Sequence, residues 1–265
     1  MILFALTANA SIAALFVAGI LPGLLMCGGF MFMCWWVGKR RNFPRDLTPI
    51  DWRVFRTHLL YASPALLLPV LIVLFLRFGI ATPTEVAVLS TLYAAVVSVV
   101  VYRDLSFKRL NEAVVSAGLA TGVVLLVIMA SAAIGWLLTY DQMPSGVAQW
   151  ITQNVSQDWI VILIMNLLML FIGMFIDLPA AVLLLTPVFL PLAQSIGMDP
   201  VQLGIMMVVN LAVGLYTPPV GTTLFITSAL AKVKVGQTVR ELGPFYFVAF
   251  LVLALVSYVP ASILR

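Results

Sequence analysis

The chain has 265 residues, of which 63% are hydrophobic and only 9% are charged, and its net charge is +4. Soluble domains carry about 25% charged residues, so this chain has too little polar surface to fold in water. The composition excludes a soluble globular protein and indicates an integral membrane protein. Loops that face the cytoplasm explain the excess of Lys and Arg more economically than a nucleic-acid partner does.

Long uncharged segments divide the chain. A membrane-spanning helix needs about 20 apolar residues, and the sequence does not show the alternation that is typical of β-barrel strands. We therefore predict an all-α polytopic membrane protein with a single transmembrane domain over residues 1–265. The uncharged segments are residues 1–38, 59–76, 86–102, 113–140, 159–176, 178–198, 201–231 and 242–264.

The loops between these segments predict the orientation in the membrane. Basic residues cluster at 39–56, 103–109 and 232–240, whereas residues 141–158 contain aspartates and no basic residue. By the positive-inside rule, the basic loops face the cytoplasm and residues 141–158 face the outside. The same rule places the C-terminus on the outer side.

The first predicted span covers residues 12–36 and is interrupted by Pro22 and Gly23. It leads into a cytoplasmic section at 39–58. Within that section, residues 45–58 mix basic and aromatic side chains, which favours an amphipathic helix lying on the membrane surface.

The segment TPTE at residues 82–85 predicts the start of the third span. Thr82 is suited to the N-cap, Pro83 to the first helical position, and Glu85 to the return bond of a capping box. The other predicted elements of this region are a second span at 60–78, an amphipathic stretch at 104–112, a fourth span at 113–139 and an outer amphipathic segment at 142–156.

Residues 178–198 are apolar but contain Pro179, Pro187 and Pro191. Each proline inside a helix costs about 3 kcal/mol or more. This segment therefore favours two short helices that turn within the membrane, as a re-entrant hairpin over residues 173–197.

The following helix is also interrupted. Asp199 and Pro200 predict its start, and the segment GLYTPPVG at 214–221 stops it before apolar sequence resumes up to residue 231. Each half of this discontinuous helix, 200–231, is too short to cross a hydrocarbon core of about 30 Å.

These interruptions predict a cation site that needs no cofactor. A broken helix leaves carbonyl oxygens free, and such oxygens can coordinate a hard cation. Thr217, Thr222 and Thr223 add hydroxyl oxygens near the break, and Asp177 adds a carboxylate in an apolar region. The pattern favours a sodium-coupled secondary transporter over a proton-coupled one, because the sequence lacks a chain of buried His, Asp and Glu. A capping role for Asp177 and a simple proline kink at the break stay open.

Two other classes of function are weighed against a transporter. An intramembrane enzyme would need a His/Cys cluster, a Ser–His pair or two intramembrane carboxylates, and the one His of this sequence lies outside the predicted spans. A non-catalytic membrane scaffold predicts no dependence on ions and no effect of repairing the break at Pro218 and Pro219. We expect the protein not to be an enzyme.

Two motifs closely resemble the DctM-type large permease of TRAP transporters. One is the segment 214–221 with the preceding VVNLA at 208–212, and the other combines GMFIDLP at 173–179 with LTPVFLP at 185–191. The segment ATPTE at 81–85 also matches, and the likeness extends over nearly the whole chain.

The resemblance implies an elevator-type importer with an inverted-repeat fold, in a bacterial inner membrane. Sodium ions would drive uptake of an organic acid such as a C4-dicarboxylate, a sialic acid or a sugar acid. The implied partners are a small four-helix membrane subunit of the DctQ type and a periplasmic solute-binding protein of the DctP type. The implied sodium-binding residues are Gly173, Asp177, Gly214, Thr217 and Val220. The residues implied to lie near the substrate are Asn210, Pro218, Pro219, Thr222 and Thr223.

The sequence departs from the pattern of that family in one respect. The family is built from two inverted repeats, each with a hairpin and a broken helix, and we find one of each here. We therefore expect residues 1–38 to end the first repeat, residues 59–265 to form the second, and the first hairpin to be missing, so that the chain alone does not transport. The alternatives are a divalent-anion:sodium symporter-like permease, whose Ser-Asn-Thr hairpin tips we do not find, and a non-transporting membrane fragment.

Overall fold

The computed structural model describes residues 1–43, 51–142, 146 and 157–259, and the regular secondary structure in these ranges is entirely α-helical. The predicted outer segment at 142–156 lies outside the described residues, apart from residues 142 and 146. The described helices are α1 (Ile2–Ala8), α2 (Ile12–Arg40), α3 (Trp52–Arg77), α4 (Pro83–Val100), α5 (Phe107–Tyr140), α6 (Asp158–Gly173), α7 (Leu178–Ser195), α8 (Pro200–Gly214), α9 (Thr222–Leu230) and α10 (Val235–Tyr258).

Six helices in the described part of the chain are long and apolar enough to cross a membrane: α2, α3, α4, α5, α7 and α10. Helices α6 and α8 are apolar but have only 16 and 15 residues. At 1.5 Å per residue they reach about 24 and 22 Å, which is less than the hydrocarbon thickness of about 30 Å. The architecture is that of a polytopic membrane protein.

The chain divides into two compact units, residues 1–37 with 124–265 and residues 38–123. The single transmembrane domain over 1–265 and its assignment to repeats therefore stay predictions. In the unit 38–123, α3 packs against α4. The Tyr93 hydroxyl of α4 donates to the carbonyl of Pro64 in α3 at 2.9 Å.

Helix α4 begins as predicted. The Thr82 hydroxyl accepts a hydrogen bond from the Glu85 amide at 3.4 Å, and the Glu85 carboxylate accepts one from the Thr82 amide at 2.7 Å. Pro83 occupies the first turn, where its missing N–H leaves no bond unmade. The capping box is confirmed.

Helix α3 differs from the prediction. Residues 52–58 were expected in a separate surface helix, but they continue without a break into the span, and residues 44–50 lie outside the described chain. Asp51 starts the helix by accepting from the Arg53 amide at 2.9 Å. The carbonyl of Leu60, which Pro64 leaves without its usual partner, accepts from the Ser63 hydroxyl at 2.8 Å.

Helices α2 and α5 are also longer than predicted. Pro22 lies inside a continuous α2, and the expected stretch 104–112 and span 113–139 merge into α5. In lipid the backbone finds partners only within the helix. Losing one bond at Pro22 therefore costs less than ending the helix there.

Helix α8 forms the centre of the unit that contains the N- and C-terminal regions. It packs against α6, α7, α10 and α1, and 11 of its 15 residues are buried. Phe4 and Leu15 pack so closely on Gly204 that a β-carbon there would lie 2.6 Å from the Phe4 ring and 2.7 Å from Leu15 Cδ2. The shared core of this unit includes Met165, Met169, Leu203, Met206, Met207 and Leu211.

Helix α7 corrects the prediction for residues 178–198. The segment forms one helix from Leu178 to Ser195, and the two short helices expected within it are not observed. Pro179 sits in the first turn, where proline is tolerated, and Pro187 and Pro191 lie inside the helix. The chain turns instead at residues 174–177, between α6 and α7.

Candidate functional site

The described chain has a break between α8 and α9 at the place that the prolines and glycines predict. Helix α8 ends at Gly214 and α9 begins at Thr222. Gly221 has a left-handed φ of 42°, and a β-carbon there would lie 2.8 Å from the Thr217 carbonyl oxygen. Only glycine fits this conformation and this spacing.

Several carbonyl groups near the break are engaged by donors within the same segment. The Thr217 hydroxyl donates to the Val213 carbonyl at 2.7 Å, and the Thr217 amide donates to the Gly214 carbonyl at 3.0 Å. The Thr223 amide, at the start of α9, donates to the Leu215 carbonyl at 3.1 Å. Helix α9 is therefore tied back to the end of α8.

The break is also tied to other helices. The Gly221 amide donates to the carbonyl of Met174, just beyond the end of α6, at 3.0 Å. The Tyr246 hydroxyl of α10 donates to the Tyr216 carbonyl at 2.7 Å, and the two tyrosine rings stack with centroids 5.8 Å apart.

Helices α6 and α8 end side by side at a glycine–glycine contact. A β-carbon on Gly214 would lie 2.6 Å from the Gly173 carbonyl carbon, and one on Gly173 would lie 3.3 Å from Leu211 Cα. The Asn166–Asn210 and Gly173–Gly214 contacts follow the same order along both helices, so the helices run parallel and their C-termini meet. Each helix C-terminus carries about half a negative charge, which makes the contact attractive to a cation.

The carbonyl oxygens of Gly173, at this contact, and of Thr217, three residues beyond Gly214, have no backbone donor within the described residues. The Gly173 oxygen lies 2.9 Å from the point where a β-carbon of Gly214 would stand, so it faces the neighbouring helix end. Neutral carbonyl oxygens without a donor suit a hard cation.

The structure brings together three of the five residues predicted to bind sodium: Gly173, Gly214 and Thr217. Val220 lies in the same break and is 38% exposed. Asp177 lies in the connection 174–177, is exposed, and makes no capping hydrogen bond to α7 through its side chain. No contact of Asp177 with the break is found in the described part of the chain.

The residues predicted to lie near the substrate separate into two groups. Pro219, Thr222 and Thr223 are exposed, and Pro218 is partly exposed. Asn210 is fully buried in the core, where its side-chain amide donates to Asn166 Oδ1 at 2.8 Å. The Asn210 side chain therefore faces α6 and not an open surface.

Sequence reasoning missed three residues at or near this site. Asn166 could have been found, because it is an amide within the apolar helix WIVILIMNLLMLFIG. Met174 acts through its backbone and Tyr246 through a contact 30 residues away. The sequence gives no signal for either contact.

The family model described as "Tripartite ATP-independent periplasmic transporter, DctM component" matches residues 1–262. This near-complete coverage of the chain does not bear out the expectation that the first hairpin is missing.

Relatives of this chain are similar along nearly all of its length. The uncharacterized protein y4mL of Sinorhizobium fredii is 56% identical over 261 residues, 98% of this chain and 62% of the relative. The C4-dicarboxylate TRAP transporter large permease protein DctM of Pseudomonas aeruginosa is 34% identical over 261 residues, 98% of this chain and 61% of the relative.

A third relative carries a different substrate in its name. The sialic acid TRAP transporter large permease protein SiaM of Vibrio cholerae is 35% identical over 260 residues, 98% of this chain and 61% of the relative. The chain thus spans about three fifths of the length of each of these three proteins. Taken with the membrane helices and the family match, these similarities show that the chain belongs to the DctM family of tripartite ATP-independent periplasmic transporter permeases.

Proposed function

We propose that the chain is part of a membrane permease that couples sodium entry to the import of an organic acid, within a TRAP transporter of a bacterial inner membrane. One observation carries the proposal: the C-termini of α6 and α8 meet at Gly173 and Gly214, beside the break that follows α8. This arrangement brings the negative ends of two helix dipoles together in an apolar region.

Sodium is the cation that the arrangement favours. The candidate ligands at the break and the adjacent end of α6 are the carbonyl oxygens of Gly173 and Thr217, which have no backbone donor in the described chain, and the Thr217 hydroxyl. None of these groups changes its charge with pH, so they cannot relay a proton. Neutral oxygen ligands at helix ends are typical of sodium sites in secondary transporters. We include Asp177 and Val220 as further candidate ligands.

An organic acid is the substrate class that the comparisons favour. The names of two relatives refer to C4-dicarboxylate and sialic acid, and both of these are carboxylates. Thr222 and Thr223 are exposed at the N-terminus of α9, where hydroxyls and the positive end of the helix dipole favour an anion. We place Pro218 and Pro219 near the same substrate, whereas Asn210, which is buried against α6, does not contact it. A sugar acid is the third substrate class.

The proposed assembly follows from the family. We infer a small four-helix membrane subunit and a periplasmic solute-binding protein as partners, an elevator mechanism, and a periplasmic C-terminus. The family match favours this proposal over a divalent-anion symporter.

Transport in proteoliposomes tests the proposal. The purified chain would be reconstituted alone and with the small membrane subunit and binding protein encoded beside its gene, and uptake of radiolabelled C4-dicarboxylate, sialic acid and sugar acids would be measured with an inward gradient of sodium or potassium. We expect uptake of one class, with sodium only. Uptake that is equal in the two gradients would exclude sodium coupling, and the absence of uptake in every combination would favour a non-transporting fragment.

A further inference from the structure

Tyr246 connects α10 to the unwound segment. Its hydroxyl donates to the Tyr216 carbonyl at 2.7 Å, and its ring stacks on the Tyr216 ring with an interplanar angle of 13°. Tyr246 therefore contacts the break at the Tyr216 backbone and at the Tyr216 ring.

The carbonyl groups at the break and at the adjacent end of α6 fall into two sets. The carbonyl oxygens of the first set accept a hydrogen bond: Val213, Gly214, Leu215 and Tyr216. Those of Gly173 and Thr217 have no backbone donor in the described chain. The Val213 and Leu215 carbonyls are engaged by donors within 213–223. The Tyr216 carbonyl differs because its donor is a side chain from another helix.

We propose that Tyr246 is a positioning residue that determines how many carbonyl oxygens the break offers to a cation. By engaging the Tyr216 carbonyl, the phenol keeps that oxygen out of the cation's coordination shell and holds the segment in its observed shape. This inference rests on the proposed sodium site. Selectivity among monovalent cations depends on the number and field strength of the coordinating carbonyls, so Tyr246 would act on selectivity.

Phenylalanine at position 246 isolates this role. The Tyr246→Phe change keeps the stacked ring and removes only the hydroxyl. A matched control is present on the same helix, because the Tyr258 hydroxyl also donates to a carbonyl, that of Trp159, at 3.2 Å. Tyr258→Phe removes the same kind of bond at a residue that has no contact with the break in the described structure.

Competition between cations distinguishes a change in cation selectivity from a general loss of protein stability. Binding of ²²Na⁺ to the purified chain in nanodiscs would be measured for the wild type, Tyr246→Phe and Tyr258→Phe, with Li⁺ and K⁺ as competitors. Releasing the Tyr216 carbonyl adds a ligand, and a larger shell favours a larger ion. We therefore expect K⁺ to compete about fivefold better in Tyr246→Phe, a change of the size that one hydrogen bond supplies, and Tyr258→Phe to match the wild type.

A second variant covers the case in which Tyr246→Phe folds poorly. Replacing Tyr246 with 4-aminophenylalanine keeps a donor at the same place and should restore the wild-type ratio of K⁺ to Na⁺ competition. Competition ratios that are the same in the wild type, Tyr246→Phe and the amino variant would overturn the inference while leaving the sodium site standing. A wild-type chain that binds no ²²Na⁺ would overturn the sodium site itself.

Discussion

The side-chain amide of Asn210 donates to Asn166 Oδ1 at 2.8 Å and thereby joins α8 to α6 inside an apolar interface. Asn166 in turn donates to the Ser257 hydroxyl of α10 at 3.0 Å. All three side chains are at least 90% buried. This polar connection lies along the same helix pair that meets at Gly173 and Gly214, so it fixes the register in which the two helix ends approach each other.

Asn166 is expected to matter more for stability than Asn210. Asn166→Leu removes the side-chain hydrogen bonds to the Asn210 amide and the Ser257 hydroxyl, at a cost of about 1 kcal/mol for each bond. Both partners keep a second acceptor, the Asn166 backbone carbonyl at 2.9 Å and the Leu253 carbonyl at 2.7 Å. Asn210→Leu removes a residue whose Oδ1 accepts no hydrogen bond within the described residues, so its cost should be smaller. Thermal unfolding in detergent, followed by tryptophan fluorescence, would rank the two variants.

The double variant sharpens the same test. Asn166→Leu combined with Asn210→Leu should cost less than the sum of the single changes, because the residues are direct partners. Asn111→Leu, at an exposed position of α5, is the control and should be close to neutral. Additive effects of the two core changes would argue against a coupled pair.

Alanine at position 214 should destabilise the protein by about 1–3 kcal/mol, because its β-carbon would lie 2.6 Å from the Gly173 backbone. Gly122→Ala, where no atom lies within 4 Å of the new β-carbon, should stabilise α5 by about 0.5–1 kcal/mol. The melting temperatures of the two variants should therefore move in opposite directions. Melting temperatures that shift in the same direction in both variants would contradict the close contact of the helix ends.

Thr217→Val should weaken sodium binding about tenfold, equivalent to about 1.4 kcal/mol, because it removes the hydroxyl at the break. Thr217→Ser keeps the hydroxyl and should retain binding. Thr227→Val is a matched control, because the Thr227 hydroxyl also donates to a carbonyl four residues earlier, that of Thr223 at 2.8 Å. Equilibrium ²²Na⁺ binding would measure all three. Equal affinities for the two valine variants would remove Thr217 from the site.

The capping box of α4 gives a prediction that is independent of function. Thr82→Ala removes the acceptor for the Glu85 amide and should cost about 0.5–2 kcal/mol. Hydrogen exchange should accelerate in the first turn of α4 for this variant. It should not accelerate for Thr84→Ala, which lies in the same turn outside the box, and a similar acceleration in both would show that the box does not hold the turn.

The sequence predicts those features that depend on the local backbone. The break at 214–221 follows from glycines that flank two adjacent prolines, which no helix accommodates, and the start of α4 follows from Thr82 and Glu85. The prediction of helix breaks was wrong at Pro22 and Pro187, where single prolines lie inside continuous helices. The apolar surroundings make a continuous helix the cheaper arrangement there, and this depends on the solvent around the helix and not on the proline.

The candidate site could be predicted only in part. Gly173, Gly214 and Thr217 were available from motifs, because the interrupted backbone and its nearest hydroxyl are local. The Asn166–Asn210 pair and the Tyr246–Tyr216 bond join residues 44 and 30 positions apart, and hydropathy carries no information on such pairing. Asn210 is an example. It was predicted to lie near the substrate, but it is buried against α6, and this burial depends on how the two helices pack.

The hydrogen bonds that tie the unwound segment to α6, α8 and α10 also bear on the thermodynamics of ion capture. An ion arriving here would meet oxygen atoms that are already held in place, so little chain entropy would be lost on binding. The main free-energy cost would then be the stripping of water from the ion. The affinity for the ion should therefore depend mainly on its dehydration. Ordering of the backbone around the bound ion should contribute little.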